Sequence, residues 1–262
     1  MPFDGFVTKS IEIDLNKHIK DAKINNVYQH NNHDISLHLR NFGKNSTLFI
    51  STHPNFCRVH LTDIRHENPD HPPSFCMLLR KYLKGGTIRD IKQYEGDRIL
   101  DIYITHQDEF GLEKELILTV EIMGKHSNLI LVNKKNKRIL DGIKRIKREF
   151  SNMREIIPGN LFERPPGQNK ENPWNDDLNP ETLLNTIDDE IKTENLLFNH
   201  FQGVSPLLSR ELAYRANLAN KAAAELTKSQ LDILIIQLNK LKTQILSNEI
   251  DPIFLWDVKK KN

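Results

Sequence analysis

The chain has 262 residues, of which 38% are hydrophobic and 27% charged, and its formal net charge is +2. This composition is typical of a soluble globular protein with one large or two modest domains, and the absence of any run approaching about 18 apolar residues argues against a membrane span. The start, M-P-F-D-G-F, lacks the layout of a secretory signal, and Cys57 and Cys76 have neither metal-ligand spacing nor a disulfide framework. We therefore expect a cytoplasmic protein.

The first 143 residues predict two helices and nine strands. Apolar residues with a helical period predict a helix over Phe3–Ile19, and Ser74 is expected to cap a second helix, Phe75–Leu83, which Gly85 and Gly86 stop. Alternating apolar and polar residues predict strands at Lys23–His30, Asp34–Asn41, Ser46–Thr52, Arg58–Thr62, Thr87–Tyr94, Arg98–His106, Lys114–Ile122, Ser127–Asn133 and Arg138–Ile143. Consecutive strands without intervening helices imply antiparallel pairing, so the predicted fold is α+β, an antiparallel β-sandwich or barrel with two flanking helices.

The character of the sequence changes near Pro158. Residues 157–173 are rich in Pro, Gly and Asn and are predicted to form a linker. Helices are predicted after it, at Pro180–Ile191, Glu194–Phe201, Pro206–Ala216, Lys221–Leu226 and Thr227–Leu246. We expect an α+β domain over residues 1–172 and a helical domain over 173–250. Residues 251–262 resemble the beginning of a strand, so the natural protein is expected to continue beyond them.

Gly203 to Leu212 reads G-V-S-P-L-L-S-R-E-L. Gly203 is expected to turn a helix end and Ser205 to cap the next helix, which begins with proline. This layout is typical of a helix-hairpin-helix unit, whose backbone N–H groups can meet a nucleic-acid phosphate. An ordinary packing unit of two helices has the same pattern, so both interpretations stay open.

Basic residues are concentrated in one segment of this nearly neutral chain. Eight of them lie between residues 133 and 148: Lys134, Lys135, Lys137, Arg138, Lys144, Arg145, Lys147 and Arg148. The segment is either a solvated hairpin followed by a loop or a patch that faces phosphate, with its last four members as the candidate contacts.

The stretch Y-E-G-D-R-I-L-D-I-Y-I begins at Tyr94 and places two opposite charges, Asp97 and Arg98, where a turn leads into a buried strand. One interpretation is a polar turn with Arg98 on its solvated edge. The other is a recognition pair directed at a molecule outside the protein. The residue types alone favour the turn.

Motifs for catalysis or metal binding are missing from the sequence. It contains no glycine-rich phosphate loop, G-x-S-x-G, H-E-x-x-H or C-x-x-C. The group H-N-N-H at residues 30–33 suits a loop better than a metal site. A helix, a β-sandwich and a helical nucleic-acid module match the plan of the formamidopyrimidine-DNA glycosylases, but Phe3 follows Pro2 where those enzymes have glutamate. We expect the fold without the chemistry, and no catalytic residue, metal or cofactor.

Several strings, in this order, resemble the N-terminal half of the NFACT family, the RqcH-type proteins of ribosome-associated quality control. They are F-D-G at 3–5, H-P at 53–54, P-P-S-F-C-M-L-L-R-K at 72–81, G-D-R at 96–98, E-I-M-G-K-H-S-N at 121–128 and G-V-S-P-L-L-S-R-E at 203–211. The resemblance implies a glycosylase-like N-terminal domain followed by a helix-hairpin-helix domain.

The resemblance also implies a site. It makes Asp97 and Arg98 a tRNA-contacting pair, with Arg98 offering a planar fork to a phosphate or base edge. Glu121, Ile122 and Met123 match a second family motif and are expected on the same surface, with Glu121 as the member facing outward. His126 is expected behind them, while Gly203 and Ser205 join Lys144, Arg145, Lys147 and Arg148 as candidate phosphate contacts.

The implied activity is binding, without enzymatic chemistry. Family members sit on a stalled 50S subunit with peptidyl-tRNA and bring in tRNA, typically alanyl-tRNA, for template-free alanine tailing of the nascent chain. An alternative is a surface adhesin, because Gram-positive members are often labelled fibronectin- or fibrinogen-binding proteins. The missing signal peptide speaks against a dedicated adhesin, although incidental binding through basic patches remains compatible with the sequence.

Overall fold

A single antiparallel sheet of nine strands dominates the first half of the protein in the computed structural model. The structure describes residues 3–107, 111–147, 154–175, 178, 180–184, 187 and 191–250. The strands are β1 Lys23–Gln29, β2 Asp34–Asn41, β3 Lys44–Ser51, β4 Arg58–Leu61, β5 Thr87–Gln93, β6 Ile99–Gln107, β7 Glu113–Glu121, β8 Asn128–Asn133 and β9 Ile139–Gly142. Each predicted strand is present with ends shifted by no more than about two residues, as expected for boundaries read from sequence.

The sheet has the order β4-β3-β2-β1-β5-β6-β7-β8-β9 and consists of two halves. The halves meet where β1 pairs with β5 through Lys23 and Thr87. The ladder continues there because Ile24 N–H donates to Gly86 O at 2.8 Å and Ile88 N–H donates to Ala22 O at 2.9 Å. The predicted antiparallel α+β class is confirmed. The predicted sandwich or barrel is wrong, because the β1–β5 pairing joins the two halves edge to edge into one open sheet.

Two helices, α1 Gly5–Ile19 and α2 Ser74–Leu83, pack on the sheet. Leu15 and Ile19 of α1 and the α2 residues Phe75, Leu79 and Leu83 lie in one core with side chains from both sheet halves. The predicted capping role of Ser74 is wrong, since Pro73 occupies the N-cap position and Ser74 is the first helical residue. Extended backbone at Pro73 leads directly into the helix without a side-chain cap.

The last part of the described chain is helical and has a core of its own. It contains α3 Pro180–Leu184, α4 Thr193–His200, α5 Pro206–Arg215 and α6 Lys228–Leu246. Phe6 of α1 belongs to this second core, together with Leu197, Phe201 and Leu234. Helix α1 therefore packs into both cores, and the predicted domain boundary after residue 172 stays a prediction. None of the helices in the described part of the chain is long and apolar enough to cross a membrane.

Three elements predicted after residue 172 differ from the structure or are only partly described by it. The short element predicted at Lys221–Leu226 is a single 3₁₀ turn, Ala223–Glu225. The helix predicted at Pro180–Ile191 is described only to Leu184, because most of its later residues lie outside the described ranges. The strand predicted in residues 251–262 lies outside them altogether.

Residues 157–173, predicted to be a linker, are instead fixed to the sheet through Arg164, and Arg154 just before them is fixed as well. We call residues 154–172 the strap. Arg154 forms a two-pronged ion pair with Glu121 of β7, at 2.8 and 2.5 Å, and Arg164 does the same with Asp101 of β6, at 3.0 and 2.5 Å. Charge pairing with two acidic residues of buried strands thus holds the strap against the sheet.

Candidate nucleic-acid interface

Three glycines from distant parts of the chain meet where α1 begins. Gly5 N–H donates to Gly203 O at 2.7 Å. A Cβ atom on Gly5 would lie 2.2 Å from Gly96 O, and one on Gly203 would lie 2.0 Å from the same oxygen. Gly203 also has φ +71°, a conformation that residues with side chains rarely adopt. The F-D-G, G-D-R and G-V-S-P strings therefore form one junction that leaves no room for a side chain.

Asp97 and Arg98 lie beside this junction, in the turn between β5 and β6. Asp97 N–H donates to Tyr94 O at 2.8 Å, and the Asp97 carboxylate accepts from Arg98 N–H at 2.7 Å. The Arg98 Nε atom lies 3.7 Å from the same carboxylate oxygen, and the side chains are 17% and 36% exposed for Asp97 and Arg98. Asp97 thus orders the turn and steadies Arg98, whose side chain stays partly exposed, so the turn and recognition interpretations are compatible.

Asp4 and Ser205 connect the same junction to the helical part. The Asp4 carboxylate caps α1 by accepting from Phe6 N–H and Val7 N–H, both at 3.0 Å. Burial raises the pKa of Asp4, against the opposing effect of its hydrogen bonds and of Arg98. Gly203 O accepts a hydrogen bond from Gly5 N–H, and the Ser205 hydroxyl donates one to the Asp4 carboxylate. Their predicted phosphate contact stays a prediction.

Two adjoining cavities open at the Asp97–Arg98 turn. The smaller, of about 210 Å³, lies between this turn, the strap and the start of α5, and its lining includes Asp4, Arg98, Phe198 and Ser205. The larger, of about 360 Å³, lies between the turn and the strap and includes Tyr94, Asn169 and Asn172. Four residues line both cavities: Asp97, Gln168, Lys170 and Gln202. Sequence reasoning missed Lys170, which it assigned to a linker, and Gln202, which no motif rule singles out.

Glu121 does not face outward as expected. It is 1% exposed and its carboxylate is held by Arg154. Ile122 is equally buried, but its N–H donates to Arg98 O at 2.9 Å, which ties this motif to the Asp97–Arg98 turn. Met123 is half-buried, and His126 is exposed in a single 3₁₀ turn. The tRNA contacts predicted for these four residues stay predictions, and only Met123 and His126 are accessible as the protein stands.

The basic segment is not a uniform patch. Lys144 is half-buried and donates to Thr52 O at 2.9 Å, and burial lowers its pKa. Arg145 donates twice to Asp141, at 2.9 and 2.8 Å, and this partner raises the pKa of Arg145. Lys147 is exposed, and Arg148 lies outside the described residues. Two of the four candidate phosphate contacts are therefore already engaged within the protein.

Comparison with known proteins agrees with the motifs gathered at this junction. Residues 4–262 match the family described as NFACT N-terminal and middle domains. The chain belongs to this family. It is 40% identical over 222 residues to a Bacillus subtilis protein named Rqc2 homolog RqcH, and 35% identical over 213 residues to its namesake in Streptococcus suis. These alignments cover 84% and 81% of the chain but only 39% and 38% of the two NFACT relatives.

Solved structures of a fibronectin/fibrinogen-binding and a fibrinogen-binding protein share the fold. The N-terminal structure of the fibronectin/fibrinogen-binding protein of Streptococcus suis superposes with a TM-score of 0.76 at 33% identity, covering 90% of this chain and 84% of that one. The fibrinogen binding protein of Staphylococcus aureus gives 0.77 at 32% identity, with 94% and 83% covered. The nine-stranded sheet and its helices therefore match the fold of these two proteins.

Proposed function

We propose that this chain is the tRNA-binding part of a ribosome quality-control factor. In this role it holds tRNA, alanyl-tRNA by preference, on a stalled 50S subunit with peptidyl-tRNA and so supports template-free alanine tailing of the nascent chain. The observation that carries the proposal is the convergence of three separate motifs on one junction, with the partly exposed side chain of Arg98 beside it. The relatives named Rqc2 homolog RqcH support the same role.

Each member of the pair has a distinct task in this proposal. Arg98 offers a planar fork of donors that fits a phosphate or a base edge and can stack on a base. Asp97 accepts from the Arg98 backbone and lies near its Nε, so it keeps the fork in place and can accept from a base or ribose donor. Helices α4 and α5 would act as the helix-hairpin-helix unit that follows a glycosylase-like domain.

The proposed protein is a binder and not an enzyme. It positions tRNA in the cytoplasm, needs no cofactor, and leaves peptide transfer to the ribosome. The test is alanine tailing of a stalled reporter in cells whose only copy of the encoded protein carries Asp97→Ala and Arg98→Ala. We expect tails to disappear while the protein accumulates at its normal level. Persistent tails at normal abundance would contradict the proposal.

A second candidate function is binding of matrix proteins at the cell surface. It is favoured by the names of the two similar structures, a fibronectin/fibrinogen-binding protein and a fibrinogen binding protein. Cell fractionation separates the two functions. Recovery with 50S particles in the cytosol supports the ribosomal role, whereas recovery in the wall fraction supports the adhesin.

A further inference from the structure

Lys170 and Gln202 complete a pocket with Arg98 that no sequence motif marks. We propose that these three residues bind one phosphorylated nucleotide of an RNA strand, with its phosphate in the smaller cavity and its nucleoside in the larger. The inference rests on the proposed function and adds two residues to its site. It also divides the work between charge, supplied by Arg98 and Lys170, and hydrogen bonding, supplied by Gln202.

Gln202 is the residue that points to a ligand. It is only 9% exposed, it lines both cavities, and its backbone N–H donates to Glu171 O at 2.8 Å. Its side-chain amide makes no hydrogen bond to any described residue. The amide atoms reach solvent in the cavities, so a polar group of a ligand can replace the water that they contact. Because an amide both donates and accepts, it suits a base edge or a ribose hydroxyl.

Lys170 supplies the second positive charge of the smaller cavity. Its Nζ donates to Phe198 O at 2.7 Å and lies 4.3 Å from the centre of the Phe198 ring, so the ammonium is held at the cavity wall. Burial lowers the pKa of Lys170 and the nearby Arg98 lowers it further, while Asp97 acts in the opposite sense. Two cations that repel each other are both stabilised by a shared phosphate.

The two cavities differ in chemistry in a way that fits the two parts of a nucleotide. The smaller one combines Arg98 and Lys170 with the start of α5, the positive end of a ten-residue helix. Its acidic members are engaged, Asp97 with Arg98 and Asp4 with Ser205. Four of the eleven residues that line the larger cavity carry side-chain amides, namely Gln168, Asn169, Asn172 and Gln202, and three are charged, Glu95, Asp97 and Lys170. Amides offer neutral donors and acceptors, which suit a nucleoside better than a phosphate.

The wall that carries Lys170 is fixed at both ends. On one side Arg164 is paired with Asp101 and lies over the Tyr94 ring at 4.3 Å. On the other side Glu171 accepts from His200 at 2.8 Å, and residues 171 and 201 pair as a parallel bridge. A pocket whose walls are already ordered loses less conformational entropy when a ligand binds.

The test measures affinity of the 262-residue chain for an unmodified alanine-tRNA transcript across a salt series. Gln202→Met removes the amide at similar length, and Lys170→Met removes the charge. We expect each to weaken binding about tenfold. Lys170→Met should also reduce the salt slope by about one, whereas Gln202→Met leaves it unchanged. Lys170→Arg should bind nearly as the wild type does, and Lys240→Met, on the exposed face of α6, serves as the control.

The possible results distinguish failure of the nucleotide pocket from failure of the proposed tRNA binding. Wild-type affinity and slope in both methionine variants, with binding still weakened by Arg98→Ala, would overturn the pocket and leave the proposed function standing. No binding by the wild-type chain would overturn both. If Gln202→Met does not fold, Gln202→Asn takes its place. This variant shortens the side chain by one methylene, which moves the amide away from the ligand, and it should lose the same tRNA affinity.

Discussion

The hydroxyl of Ser205 donates a 2.7 Å hydrogen bond to the carboxylate of Asp4, 201 residues away in the chain. Each of these residues also caps its own helix, Asp4 at α1 and Ser205 at α5. Two helix N-termini, both positive ends of helix dipoles, therefore meet with one carboxylate between them. This contact and the adjoining glycine junction fix the helical part against the sheet, which in turn fixes Arg98 relative to the cavities.

Adding a single methyl group at the glycine junction should destabilise the protein by a definite amount. Gly203→Ala combines a positive φ with a Cβ 2.0 Å from Gly96 O, so we expect a loss of about 3 kcal/mol in the free energy of unfolding. Gly43→Ala is the matched control, because Gly43 has φ +83° but nothing lies within 4 Å of its Cβ position. That variant should lose about 1 kcal/mol in urea unfolding. Equal losses would show that the close packing contributes nothing.

Asp4 predicts a pH dependence of stability. Its pKa is raised above the ordinary 3.8 by burial, so the folded protein holds this proton to higher pH than the unfolded chain does. Stability from this group is complete below pH 3.8 and declines as the pH rises through the folded pKa. Asp4→Asn retains an oxygen to cap α1 but does not titrate. Between about pH 3 and pH 7, the stability of the variant relative to the wild type should rise. A flat or falling difference in urea unfolding would contradict this.

Replacing Glu121, a residue that its motif implies in tRNA binding, should lower the free energy of unfolding. Glu121→Gln leaves the guanidinium of Arg154, which is 9% exposed, without its charged partner, so we expect a loss of about 3 kcal/mol. Glu211→Gln breaks the exposed pair with Arg215 and should cost about 0.3–0.5 kcal/mol. Thermal and urea unfolding compare the two. A stable Glu121→Gln protein that fails to bind tRNA would instead support the direct contact.

The sheet was predictable because its signal is local. Alternating apolar residues and turn-forming Gly, Asn and Pro define each strand within the strand itself. The joining of two halves through Lys23 and Thr87 was not predictable, because it depends on contacts between residues far apart in the chain. The same reason explains the strap, whose composition resembles a linker. A signal existed, since Asp101 and Glu121 are acidic residues within buried strands and such residues need a cationic partner.

The site was only partly predictable. Family motifs identified Asp97, Arg98, Gly203 and Ser205, which the structure brings to one junction. Motifs do not state which way a side chain faces, so they gave Glu121 an outward position that its pairing with Arg154 excludes. Gln202 and Lys170 carry no motif, and their placement depends on how the strap meets the α4–α5 turn.

The basic segment predicts an uneven contribution to RNA affinity. Lys135 and Lys137 are exposed in the turn between β8 and β9, whereas Arg145 is paired with Asp141. If the segment faces phosphate, Lys135→Gln and Lys137→Gln should each reduce the slope of log affinity against log salt by about one. Arg145→Gln should leave the slope nearly unchanged. An unaltered slope in both lysine variants would remove this segment from the binding surface.

The most direct test of the central claim is binding of alanyl-tRNA to this chain at physiological salt. The wild type is compared with Asp97→Ala, Arg98→Ala, and with a control that removes one acidic and one basic residue from an exposed loop, Asp63→Ala, Arg65→Ala. The Asp97–Arg98 ion pair contributes about 0–1 kcal/mol and the bond of the Asp97 carboxylate to Arg98 N–H about 1 kcal/mol more, so the Asp97, Arg98 variant should melt no more than about 8 °C below the other two proteins. The account predicts tight binding by the wild type and the control and at least about tenfold weaker binding by the Asp97, Arg98 variant. Equal affinity in all three proteins would contradict it.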